Sequence, residues 1–121
     1  MGEIATSDWE VVLFFNPNSI TAKKTLDYAK AEDLPIRDID ILKIPLTGTQ
    51  LKELADRLDL EIEELVNKNH PSFYKHFGNP ELFDEDWIKI LKQNPEFLKG
   101  PIAIKGSKTV LVEKPSDIIK L

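Results

Sequence analysis

The sequence predicts an α/β domain on a four-stranded mixed sheet. Two observations carry this. A strand–helix–strand pattern occupies the first third of the chain, and two short apolar runs around a turn lie near its end. Between them, from about residue 47 to 99, the apolar spacing is helical. The whole of 1–121 is read as one domain with a helical insertion over that stretch.

Glu10–Phe15, EVVLFF, is β-branched and aromatic and stops at the turn residues Asn16-Pro17-Asn18-Ser19, which marks a buried strand. Thr21–Ala31 follows with Ala22, Thr25, Leu26 and Ala29 on one helical face. Pro35–Ile41 alternates in period two and gives a second strand. Strands joined through a helix in this way pair in parallel.

In the insertion, Thr47 and Gln50 form a capping-box pattern ahead of Leu51, Leu54, Ala55 and Leu58. A short helix is expected over Glu61–Asn67 through Ile62, Leu65 and Val66. His70–Pro80 reads as loop or broken helix. A further helix starts at Asp84 as N-cap, buries Trp87, Ile88, Ile90 and Leu91, and ends at Pro95. Pro101–Ile104 and Thr109–Val112 form a hairpin around Lys105–Lys108. Pro115 opens a last short helix through Ile118, Ile119 and Leu121. Trp9 and Trp87 are read as packing residues.

Composition narrows the function. A net charge of −5 opposes nucleic-acid binding and anionic membrane surfaces, so neither partner is expected. The chain has no cysteine, which removes disulfides, thiolate metal sites and thiol redox chemistry. No apolar run reaches a membrane span, and the start MGEIATSDWE lacks the basic and apolar regions of a secretion signal. A cytoplasmic protein is expected. The myristoylation match at Gly2 and Thr6 is short enough to arise by chance. His70 and His76 fit no zinc spacing, and Asp38, Asp40 and Glu61–Glu64 fit no metal loop; neither metal nor cofactor is expected. Phe73, Tyr74, Phe77 and Phe83 either anchor a loop or form a partner patch.

The candidate site is the strand–loop–helix junction FFNPNSITAKKTL. A helix N-terminus offers free N–H groups and a partial positive charge. Asn16, Asn18, Ser19, Thr21 and Lys23 make a candidate oxyanion-binding loop, with weak anion affinity expected. The alternative is that Asn18, Ser19 or Thr21 caps the helix, and for Ser19 capping is preferred over catalysis.

The element order, with a proline before the hairpin, resembles the thioredoxin fold. More specifically, NPNSITAKKTL resembles the active-site loop of the arsenate reductase-like family, which includes the Spx transcriptional regulators. DILKIPLTGTQLKEL, NPEFLKGPIAI and EKPSDII are similar to further stretches of that family, in the same order. The resemblance implies a cis bond at Gly100–Pro101. It places the family's nucleophilic cysteine at Ser19. The family's arginines fall at Lys23 or Lys24, near Asn67 or Lys68, at Gly100 and at Lys114. Arsenate reduction takes two electrons from sulfur, which a hydroxyl cannot supply. The resemblance therefore implies a non-redox binding or regulatory module, with RNA polymerase as a partner by family analogy. The rival reading is an enzyme or binding protein whose Ser19 loop holds an oxyanion or phosphorylated small molecule. As an enzyme it needs a base beside the Ser19 hydroxyl.

Overall fold

A computed structural model describes residues 8–77 and 81–121. Gly2 and Thr6, and the side chains of Tyr74, His76 and Phe77, lie outside what it describes. Four strands form one sheet in the order β2-β1-β3-β4. They are β1 (Val11–Phe15), β2 (Ile36–Asp40), β3 (Ile102–Lys105) and β4 (Lys108–Leu111). β1 runs parallel to β2, with Leu13 opposite Asp38, and antiparallel to β3, with Leu13 opposite Ala103. β3 and β4 are antiparallel.

β1 is buried along its whole length because both of its faces are covered. Alternation sends Val11, Leu13 and Phe15 to one side, against Ala22 and Ala29 of α1 (Ile20–Ala31) and Ile118. It sends Val12 and Phe14 to the other side. There they meet α2 (Gly48–Leu58), α4 (Asp84–Gln93) and the segments around them. Phe73, on α3 (Pro71–Phe77), sits at the centre of that second core. Its ring lies 6.1 Å from Trp87 in a stacked arrangement and 5.5 Å from Phe97, nearly perpendicular.

Local chemistry explains most element ends. Thr47 and Gln50 exchange backbone and side-chain hydrogen bonds at 3.1 and 2.9 Å, the reciprocal cap of α2. The β3–β4 hairpin turns on Gly106 at φ +59, as a two-residue turn with glycine first requires. A Cβ there would lie 2.7 Å from Asp8 Oδ1. Asp117 closes the chain's last turn: its Oδ2 accepts the Lys114 and Glu113 amides, and Lys120 lies 3.2 Å from Oδ1. These contacts hold its carboxyl down at about 2, from the ordinary 3.8.

Several expectations are corrected. α1 starts one residue earlier than Thr21. Phe83, not Asp84, is the N-cap of α4, and Asp86 Oδ2 accepts the Phe83 amide at 3.1 Å; the reciprocal arm of a capping box replaces a capping side chain. The stretch within 61–67 is a 3₁₀ turn, Ile62–Leu65, and the last element is also 3₁₀, Pro115–Lys120. Within His70–Pro80 a two-turn helix, α3, forms because Pro71 starts it and His70 Nδ1 accepts the Ser72 amide at 3.2 Å. Trp9 is 68% exposed and so is not a core residue, unlike Trp87. Phe73 anchors its loop as one reading had it, whereas Phe83 is 83% exposed. Among the described residues no helix is long and apolar enough to cross a membrane.

Candidate functional site

The Asn16–Ser19 loop leaves the C-terminal end of β1 and opens onto a cavity of about 260 Å³. Its apolar lining is Phe14, Phe15, Ile41 and Leu98. Asn16, Asn18 and Ser19 form one wall, and Asn67, His70, Glu96, Lys99 and Gly100 form the other. That second wall is a clamp of two segments. Val66 and Leu98 make an antiparallel bridge. The Lys99 amide donates to Leu65 O at 2.7 Å and the Asn67 amide to Phe97 O at 2.6 Å. Gly100–Pro101 is cis, as the resemblance implies.

The loop's own hydrogen bonds decide what it offers a ligand. The Asn18 amide donates to Asn16 Oδ1 at 2.9 Å, and the Ser19 amide to Asn16 O at 2.9 Å. Ser19 adopts extended backbone, φ −80 and ψ 128, and its hydroxyl oxygen accepts the Ala22 amide at 3.2 Å. Of the three cap candidates Ser19 holds the position, and the short polar side chain suits it. Three amides that could have faced an anion are thus engaged within the loop and first turn. Among the described residues those of Ile20 and Thr21 make no such bond.

Of the five loop candidates, Asn16, Asn18 and Ser19 line the cavity. Thr21 instead lines an adjoining open cleft of about 380 Å³, shared with Asn67, Lys99, Gly100 and Glu113. Lys23 lines neither, because at the fourth position after the cap its side chain leaves the outward face of α1. Lys68, near the position of a family arginine, pairs with Glu63, and its ammonium lies 5.0 Å over the Trp87 ring. Among the described residues, the lysine lining the cavity is Lys99, one residue before Gly100. At Gly100 an added Cβ would meet nothing closer than 3.5 Å, so the position has room for a Cβ.

Lys99 and Glu96 escape a reading of the sequence as a loop alone. The signal that could have found them is topological. In a parallel βαβ unit the loop after β1 and the segment before an antiparallel β3 meet at the same end of the sheet. His70 also lines the cavity, but its Nδ1 is occupied by Ser72 and its ring packs edge-on against Phe97, centroids 5.1 Å apart. Among the described residues no imidazole or carboxylate accepts a hydrogen bond from the Ser19 hydroxyl. No three His, Asp or Glu side chains among them are grouped to hold a metal ion.

A βαβ unit followed, after helices, by a β-hairpin on the same four-stranded mixed sheet is the thioredoxin-like architecture. No family model matches the chain. Its sequence is 22% identical over 113 residues to an arsenate reductase of Neisseria meningitidis, covering 92% of this chain and 96% of that one. It is 23% identical over 95 residues to the global transcriptional regulator Spx of Enterococcus faecalis, covering 78% and 72%. The regulatory protein MgsR of Bacillus subtilis is 20% identical over 113 residues, covering 93% and 90%. Among solved structures, an arsenate reductase from Vibrio cholerae superposes with a TM-score of 0.82 at 18% identity, covering 94% and 98%. An arsenate reductase-related protein from Brucella melitensis gives 0.72 at 18%, covering 96% and 97%. The chain is thus similar in sequence to arsenate reductases and to Spx, it has the thioredoxin-like fold, and it has no cysteine.

Proposed function

We propose that the chain is a non-redox binding or regulatory module, a pseudoenzyme that keeps the thioredoxin-like scaffold without thiol catalysis. One observation carries this reading. Ser19, which the resemblance places at the nucleophile position, accepts the Ala22 amide as the cap of α1, in a chain with no cysteine. A serine oxygen cannot give up the two electrons that arsenate or disulfide reduction takes, and without an adjacent base it is a poor nucleophile. The regulatory half of the proposal rests on the likeness to Spx and MgsR. By that analogy the partner is a protein in the cytoplasm, RNA polymerase being the first to try. Purified protein should show no turnover with arsenate or a model disulfide and should be retained by immobilised RNA polymerase. Measured reductase turnover by this cysteine-free chain would sink the proposal; failure to bind polymerase would remove that partner.

A second reading keeps the loop as an oxyanion holder. The unengaged amides of Ile20 and Thr21 and the presence of Lys99 in the cavity favour it. The internal bonds of Asn18, Ser19 and Ala22 oppose it. Loss of phosphate binding on Lys99→Met is its test.

A further inference from the structure

The cavity beside Ser19 carries both signs of charge. Lys99 and Glu96, three residues apart on the same wall, both line it. The ion pairs seen elsewhere are Arg57–Glu53, Lys68–Glu63 and Lys120–Asp117; among the described residues neither Lys99 nor Glu96 has such a partner. Glu96 is half-buried and Lys99 exposed, and each charge would be favoured by an opposite charge placed against it in the cavity. Here one ligand with a cation and an anion close together would satisfy both.

We propose that this cavity binds a small zwitterion of the α-amino-acid class, its carboxylate on Lys99 and its ammonium on Glu96. The proposal rests on the reading of the chain as a non-redox binding module and names what the module binds. Size agrees: about 260 Å³ is below the usual range for drug-sized ligands and suits a molecule of a few heavy atoms. The polar lining agrees as well. Asn16, Asn18 and Asn67 bring amide side chains, which as a group can both donate and accept. The apolar lining residues, Leu98 included, would take the ligand's methylene groups. A bare oxyanion fits less well, because Glu96 lines the same cavity and its negative charge opposes an anion there.

The two ligand classes give opposite signs for one substitution. Removing the Glu96 charge weakens a zwitterion and strengthens an anion. The test is titration calorimetry on the full chain, with free L-α-amino acids tried one at a time and acetate, methylammonium and inorganic phosphate as controls. At least one amino acid should bind more tightly than any control. Glu96→Gln and Lys99→Met should each weaken it by at least about tenfold, and Lys99→Arg should largely restore it. Thermal melts of each variant show whether it is folded. No binding by any amino acid, or binding that both variants leave unchanged, overturns the proposal. So does phosphate binding that exceeds every amino acid and tightens in Glu96→Gln. None of these results bears on reductase turnover, so the non-redox reading stands or falls separately.

Discussion

The hydroxyl oxygen of Ser19 accepts the amide N–H of Ala22 at 3.2 Å, so the residue at the head of the loop holds the first turn of α1. A capping role makes a stability prediction that a catalytic role does not. Ser19→Ala should cost about 1 kcal/mol in urea unfolding. Ser19→Asp should retain the wild-type midpoint or exceed it, since aspartate caps well and its charge favours a helix N-terminus. Equal stability of the Ala variant and wild type would remove Ser19 from the cap.

Asp117 sets an acid limit on the closing 3₁₀ turn. Its carboxyl is depressed to about 2, first by the Lys114 amide, then by the Glu113 amide and the Lys120 ammonium. The folded state therefore favours the charged form. The stabilisation is fully present above the ordinary value of 3.8 and is lost as pH falls through about 2. Asp117→Asn should lower the unfolding midpoint at pH 7, and its gap to wild type should close as pH approaches 2. A gap that does not change with pH would mean that the carboxylate's charge contributes nothing.

Phe73 tests the core behind the cavity. It is fully buried between Trp87 and Phe97, and Phe97 in turn packs on His70 of the cavity wall. Phe73→Ala should cost about 3–5 kcal/mol in chemical denaturation. A loss under 1 kcal/mol, about what a surface truncation costs, would contradict this packing.

Gly100 tests whether the family's arginine can be restored beside the loop. With no atom nearer than 3.5 Å to an added Cβ, Gly100→Arg should fold with a melting temperature close to wild type and bind phosphate more tightly. Unfolding of this variant would show that the position requires glycine after all.

Much of the fold is legible because it rests on local pattern. EVVLFF against a turn, period two in Pro35–Ile41 and the capping box at Thr47 each fix an element without long-range information. The misreadings fall where tertiary context decides. Trp9 lies just before β1, outside the covered part of the strand, so its size does not bury it. α3 depends on a histidine acting as a cap, which propensity does not signal. In the site, Asn16, Asn18 and Ser19 could be read from the loop because they are consecutive with β1. Glu96 and Lys99 could not, because they reach the cavity only through the Val66–Leu98 bridge. Lys23 is adjacent to the loop along the chain, but the helix turns it away from the cavity.

The central claim is that the Asn16–Ser19 loop is no longer a reductase centre, in its sulfur or in its surroundings. Two of its amides bond internally, its Ser19 hydroxyl is taken by the Ala22 amide of α1, and the expected arginine positions carry lysine, asparagine or glycine. The direct measurement is arsenate reduction by Ser19→Cys, assayed with thiol reductant on protein shown to be folded. The account predicts turnover indistinguishable from the cysteine-free chain. Efficient turnover from that single change would contradict it, because the loop would then still be an organised oxyanion site lacking only its sulfur.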